Sequence, residues 1–190
     1  MTTRRVRPIT SPGAWEFEGG YGKRAEQSLA LLEQKVAALR STLATRGSRP
    51  TRPDSDAVDE IHALADSAVI FAAMAVESFL NLYGVIRLGE EFYARTYERL
   101  SVSQKVSSLL ATCCGALLAP QDEILSVVAR LFERRNALVH PKTREVKPRR
   151  GSFPKATPLL PAAREAVRDM RRFNELFLTY DTDAGKWWHV

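Results

Sequence analysis

Nine consecutive residues, Ala68-Val69-Ile70-Phe71-Ala72-Ala73-Met74-Ala75-Val76, carry no charged or hydrogen-bonding side chain, and they lie between Asp66 and Glu77. Wound as a helix, such a run is apolar on every side, and that kind of helix belongs at the centre of a bundle. Nine residues are too few to cross a bilayer. The flanking sequence extends the helix from Ser55 or Asp56 to about Leu88. Asp59 and Glu60 favour its positive N-terminal end, and Gly89 offers a C-cap.

Four further helices fit around this one. Leu29, Leu32, Val36, Leu39 and Leu43 recur at steps of three and four, giving an amphipathic helix over residues 23–46 that Gly47 and Pro50 end. Residues 90–100 are aromatic and charged and fit a short helical connector, not counted among the main helices. Ser101 and Gln104 have capping-box spacing and start a third helix that runs to Cys114, with Gly115 closing it. Pro120, Asp122 and Glu123 open a fourth, to Val139. A last helix from Pro161 to Tyr180 turns Val167, Met170, Phe173, Phe177 and Tyr180 inward and Arg164, Arg168 and Arg171 outward. No stretch alternates apolar and polar residues for long, so the fold expected is all-α, a bundle of about five helices.

Residues 1–22 read as a flexible basic arm, 23–182 as one helical domain with a basic loop at 141–158, and 183–190 as a C-terminal tail. A net charge of +6 points to an anionic partner, nucleic acid first. The loop concentrates that charge: Lys142, Arg144, Lys147, Arg149, Arg150 and Lys155 stand against the single acid Glu145. Such a loop binds phosphates or is simply solvated. Cys113 and Cys114 are adjacent and have apolar neighbours, so they read as buried, reduced thiols, and the compartment as cytoplasmic. No apolar run follows Met1–Arg5, and no signal peptide or membrane attachment is expected. No His/Asp/Glu cluster has ligand spacing, so neither metal nor cofactor is expected.

Three polar residues sit where an apolar one would pack. Ile124, Val128, Leu131, Arg135 and Leu138 follow one stripe of the fourth helix, so Arg135 interrupts the seam. It must snorkel, pair with an acid, or face a partner. Glu77 ends the apolar run, and a buried carboxylate either protonates or finds a cation. Arg135 is the candidate cation, with Asn81 one turn further on. The pair could fix helix register, or Glu77 could orient a working arginine. His140 precedes Pro141, which disfavours helical dihedrals at His140 and puts it at the end of the fourth helix. There the dipole favours imidazolium, and a helix-capping histidine is the plain reading.

Together, Arg135-Asn136-Ala137-Leu138-Val139-His140 resembles the signature of the HEPN superfamily: an arginine followed by a polar residue, then a histidine after four to six residues. Ala75-Val76-Glu77-Ser78-Phe79-Leu80-Asn81 resembles the second-helix pattern of bacterial HEPN-like families, and Leu100-Ser101 with Gln104-Lys105 resembles the start of their third helix. The likeness covers residues 25–180. It implies a bundle that pairs as a homodimer with the two motifs facing each other. Many members of this superfamily cut RNA without metal, while others only bind. In the cutting members the arginine and histidine act on an RNA phosphodiester. That implies Arg135, Asn136 and His140 as catalytic, Glu77 and Asn81 as supporting, and Lys142, Arg144, Lys147, Arg149 and Arg150 as RNA-binding. A toxin or defence role with an antitoxin or regulatory protein partner would follow. A helical DNA-binding regulator is the other basic-protein reading, but its third helix offers few polar side chains for base edges.

Overall fold

The structure, a computed structural model, describes residues 20–46, 52–139 and 159–188. Among them are six α-helices and one 3₁₀ helix, and no strand. The helices are α1 (Tyr21–Arg46), α2 (Arg52–Leu88), α3 (Glu90–Thr96), α4 (Val102–Cys114), α5 (Glu123–Val139) and α6 (Leu159–Tyr180), with the 3₁₀ helix at Thr182–Trp187. The count exceeds five main helices because the connector is helical, as its residues allowed, and forms α3, and because the chain winds once more after α6.

At 37 residues α2 is the longest element. By length and composition it could cross a membrane, but here it is the axis on which the other helices pack. Ala68, Ala72 and Val76 have no exposed surface, and Ala73 has almost none. The alanines let neighbouring backbones approach closely.

Side-chain contacts fix the directions of the neighbours. Tyr21 stacks on Phe71, and Lys35 donates to Glu60 at 2.8 Å, so α1 runs antiparallel to α2. Ala163 packs with Ile61, Ala65 and Ala68, while Phe173 and Phe177 pack edge-on against Phe79. Therefore α6 runs parallel to α2. Arg172 pairs with Glu123 and Arg134 with Glu165, which makes α5 antiparallel to α6.

Local signals set most helix ends. Ser101 and Gln104 form the full capping box, and Gly115 ends α4 in the left-handed region, where a side chain would be strained. The Asp122 carboxylate accepts from the Ala119 backbone N–H at 2.6 Å, so α5 starts at Glu123 rather than Pro120. In α6, Val167, Met170, Phe173 and Phe177 are buried as the pattern demands, but Tyr180 is 36% exposed because α6 ends there. Gly84 has a packing role: a Cβ there would lie 2.3 Å from the Tyr93 ring, so only glycine lets α3 sit on α2.

Residues 183–188 are more than a tail. Trp188 meets Phe79 edge-on at 4.8 Å, and the Arg87 guanidinium lies 5.0 Å from the Trp187 ring centre. Asp181, just after α6, accepts from Arg87 and, at 2.7 Å, from the Tyr83 hydroxyl. These bonds tie the chain end onto α2.

Candidate functional site

The C-terminal half of α5 departs from the core. Ile124, Val127, Val128 and Leu131 are buried, Arg135 is half-buried, and Leu138 and Val139 are 37% and 42% exposed. Up to Leu131 the stripe packs on its neighbours; beyond it the same stripe faces outward. Arg135 is thus the first residue of the seam to leave the core. Its Nη1 donates to Asn136 Oδ1 at 3.0 Å, and the two polar residues of the motif form one exposed unit. No carboxylate among the described residues pairs with Arg135.

Glu77 does not reach Arg135, contrary to expectation. The reason is helix direction. Since α5 runs antiparallel to α2, Glu77 stands level with the start of α5, where Arg172 holds Glu123 beside the Phe79–Phe173 contact. Arg135 lies at the other end, beside the Arg134–Glu165 pair and the Ala163–Ala68 packing. Ala68 and Glu77 are separated by roughly 13 Å of α2 axis. The apolar period identifies the face of each helix, and it carries no information on level.

Glu77 acts instead on Lys105, which is 3% exposed. The Lys105 ammonium donates to Asn81 Oδ1 at 2.9 Å, and the Tyr93 hydroxyl donates to the same oxygen at 2.6 Å. Burial lowers the Lys105 pKa, while Glu77 and then Glu98 pull the other way. Burial also pushes the Tyr93 phenol up to about 12, with smaller help from Glu98 and Glu77. This cluster joins α2, α3 and α4. Asn81 and Glu77 come together, as expected, but around a lysine rather than an arginine. Lys105 was legible only as part of the Gln104-Lys105 pattern at the start of α4.

Next to Arg135, Arg134 has the opposite environment. Asp169 is 2% exposed and accepts from Arg134 Nη1 at 2.7 Å and from Arg130 Nη2 at 2.9 Å. Arg134 also donates to Glu165 at 2.5 Å. Two arginines on one carboxylate clamp α5 onto α6 and fix its rotation, and thus the direction in which Arg135 points.

His140 and the loop residues Lys142, Arg144, Lys147, Arg149 and Arg150 lie outside the described residues. The cysteines are free thiols and half-buried rather than buried. Cys114 Sγ is 3.4 Å from the Tyr83 hydroxyl, and burial, reinforced by Cys114, pushes the Cys113 thiol up to about 11. Such thiols are poor nucleophiles. Among the described residues no three His, Cys, Asp or Glu side chains gather as metal ligands. No family model, curated protein or solved structure matches the chain.

Proposed function

We propose that this protein is a metal-independent endoribonuclease of HEPN type, acting as a homodimer whose two Arg135/His140 motifs meet across the interface. The observation that supports it most is the outward turn of α5 after Leu131: an arginine with no carboxylate partner among the described residues, bonded to Asn136, beside exposed Leu138 and Val139. One copy leaves this end apolar and charged together. A second copy would cover the leucine and valine and bring two arginines to one site.

The chemistry suits those residues. One His140 imidazole takes the proton from a ribose 2′-hydroxyl as its oxygen attacks phosphorus. The 2′-oxygen–phosphorus bond forms, the bond to the 5′-oxygen breaks, and the partner copy's imidazolium gives that oxygen its proton. Arg135 neutralises the charge that grows on the phosphoryl oxygens. Asn136 can donate its amide to the same phosphate, since its Oδ1 is taken by Arg135. The products are a 2′,3′-cyclic phosphate and a 5′-hydroxyl. A toxin or defence effector held in check by a partner protein is the setting this chemistry suggests.

A second reading has its own support. Among the described residues only Asn136 orients the Arg135 guanidinium, so the same exposed end could hold an RNA or protein partner without cutting. Incubation of mixed RNA with wild type and with His140→Ala, in EDTA, separates the two. Cleavage by wild type alone, leaving cyclic phosphate ends, is the result expected. Equal cutting by both proteins, or loss of cutting in EDTA, would leave the non-catalytic reading.

A further inference from the structure

Helix α6 carries four arginines within nine residues, Arg164, Arg168, Arg171 and Arg172. Three of them reach acids. Arg164 donates to Glu33 at 2.7 Å, Arg171 to Glu26 at 2.8 Å, and Arg172 to Glu123 at 2.8 Å and Glu175 at 3.0 Å. Arg168 is exposed and has no carboxylate partner among the described residues. Its neighbours at i−4, i+3 and i+4 are all arginines, and its one acidic neighbour at helical spacing, Glu165 at i−3, is held by Arg134. The acids that offset Arg164, Arg171 and Arg172 leave the Arg168 guanidinium without a carboxylate of its own among the described residues. A bound anion would supply that partner.

The four arginines border an open cleft of about 410 Å³ between α1 and α6, whose apolar lining is Leu29 and Val167. Only Glu33 and Glu175 oppose them in that lining. Arg164, Arg171 and Arg172 are 56%, 61% and 43% exposed, so water screens each ion pair and the arginine can exchange its carboxylate for a phosphate.

We infer that the α1–α6 cleft binds the sugar–phosphate backbone of an RNA strand. Arg168 makes a phosphate contact from the outset, and Arg164 and Arg171 leave Glu33 and Glu26 to make two more. Leu29, half-buried, presents apolar surface to the sugars. Backbone contacts of this kind give affinity and register without sequence choice. Arg164 precedes Glu165, the partner of Arg134 on α5, so a strand in the cleft is led toward the end of α5 that carries Arg135. The choice of RNA among polyanions rests on the reading above; the cleft and its charge stand apart from it.

The test uses the full chain bearing His140→Ala, so that RNA survives, and a short fluorescent single-stranded RNA of mixed sequence. Affinity is read by anisotropy across a salt series, with melting temperature checked for every variant. Arg168→Glu should weaken binding about tenfold and flatten the salt slope by about 0.7 for every phosphate that is no longer neutralised. Arg168→Lys should retain most of the affinity. Glu33→Gln frees Arg164 and should tighten binding about twofold, a change in the direction opposite to damage of the fold. An unchanged affinity and slope in Arg168→Glu would overturn the cleft, as would weakening by Glu33→Gln. Tighter binding of heparin or duplex DNA with the same dependence on Arg168 would overturn RNA as the occupant. Cutting that needs His140 while affinity ignores Arg168 would sink the cleft alone. Arg168-dependent binding without any cutting by the wild-type chain would sink the catalytic reading alone.

Discussion

The two ends of the bundle are finished differently. At one end Tyr83, Arg87, Asp181 and Cys114 interlock, with Trp187 and Trp188 covering Tyr83 and Phe79. Polar groups there meet within one chain. At the other end Arg135 bonds to Asn136, and Leu138 and Val139 face outward. Adjacent residues mark the boundary: Arg134 is locked to Asp169 and Glu165, while Arg135 has no carboxylate among the described residues. An arginine that holds two helices together has its carboxylates in the chain; for Arg135 we propose that another molecule supplies the partner.

The largest effect expected lies at the closed end. Phe173 is fully buried and touches Phe79, Phe177 and Trp188, so Phe173→Ala should cost about 3–5 kcal/mol in chemical denaturation. A cost below about 1 kcal/mol would mean that the aromatic end does not hold the chain terminus. At the boundary, Asp169→Ala strips Arg130 and Arg134 of their shared acceptor and should cost about 3 kcal/mol. Arg130 is 47% exposed and can turn to water, so Arg130→Ala should cost less than Arg134→Ala.

Alkali should also attack the closed end first. The Cys113 thiol ionises at about 11 in the fold against 9.0 for a free thiol, mainly because it is buried. Between those values the unfolded chain has lost the proton and the folded one keeps it. Stability is therefore fully present below pH 9 and declines as pH rises toward 11. Melting curves in that window should fall less steeply for Cys113→Ala than for wild type. Parallel curves would remove Cys113 from the account.

Some of this was legible in the sequence, and physical range explains which parts. The α4 capping box needs only Ser101 and Gln104, three residues apart, and the central helix needs only its own apolar run. Periodicity pairs Glu77 with the wrong cation because it ranks faces, whereas level depends on which way a distant helix runs. The Asp169 clamp spans 35 and 39 residues, too far for any local pattern. Trp187 and Trp188, two large apolar rings side by side, were the one hint that the chain end docks. The outward turn of Arg135 was half legible, since the interrupted seam was visible but the direction it faces was not.

The smallest stability effect is expected at Arg135, the residue on which the proposed function rests most, and measuring stability and cleavage on one preparation of Arg135→Ala tests the account most directly. Stability within about 0.5 kcal/mol of wild type, with RNA cleavage lost, is the result expected of an outward-facing arginine held by Asn136. Cleavage at the wild-type rate, or unfolding on the scale of Asp169→Ala, would contradict it.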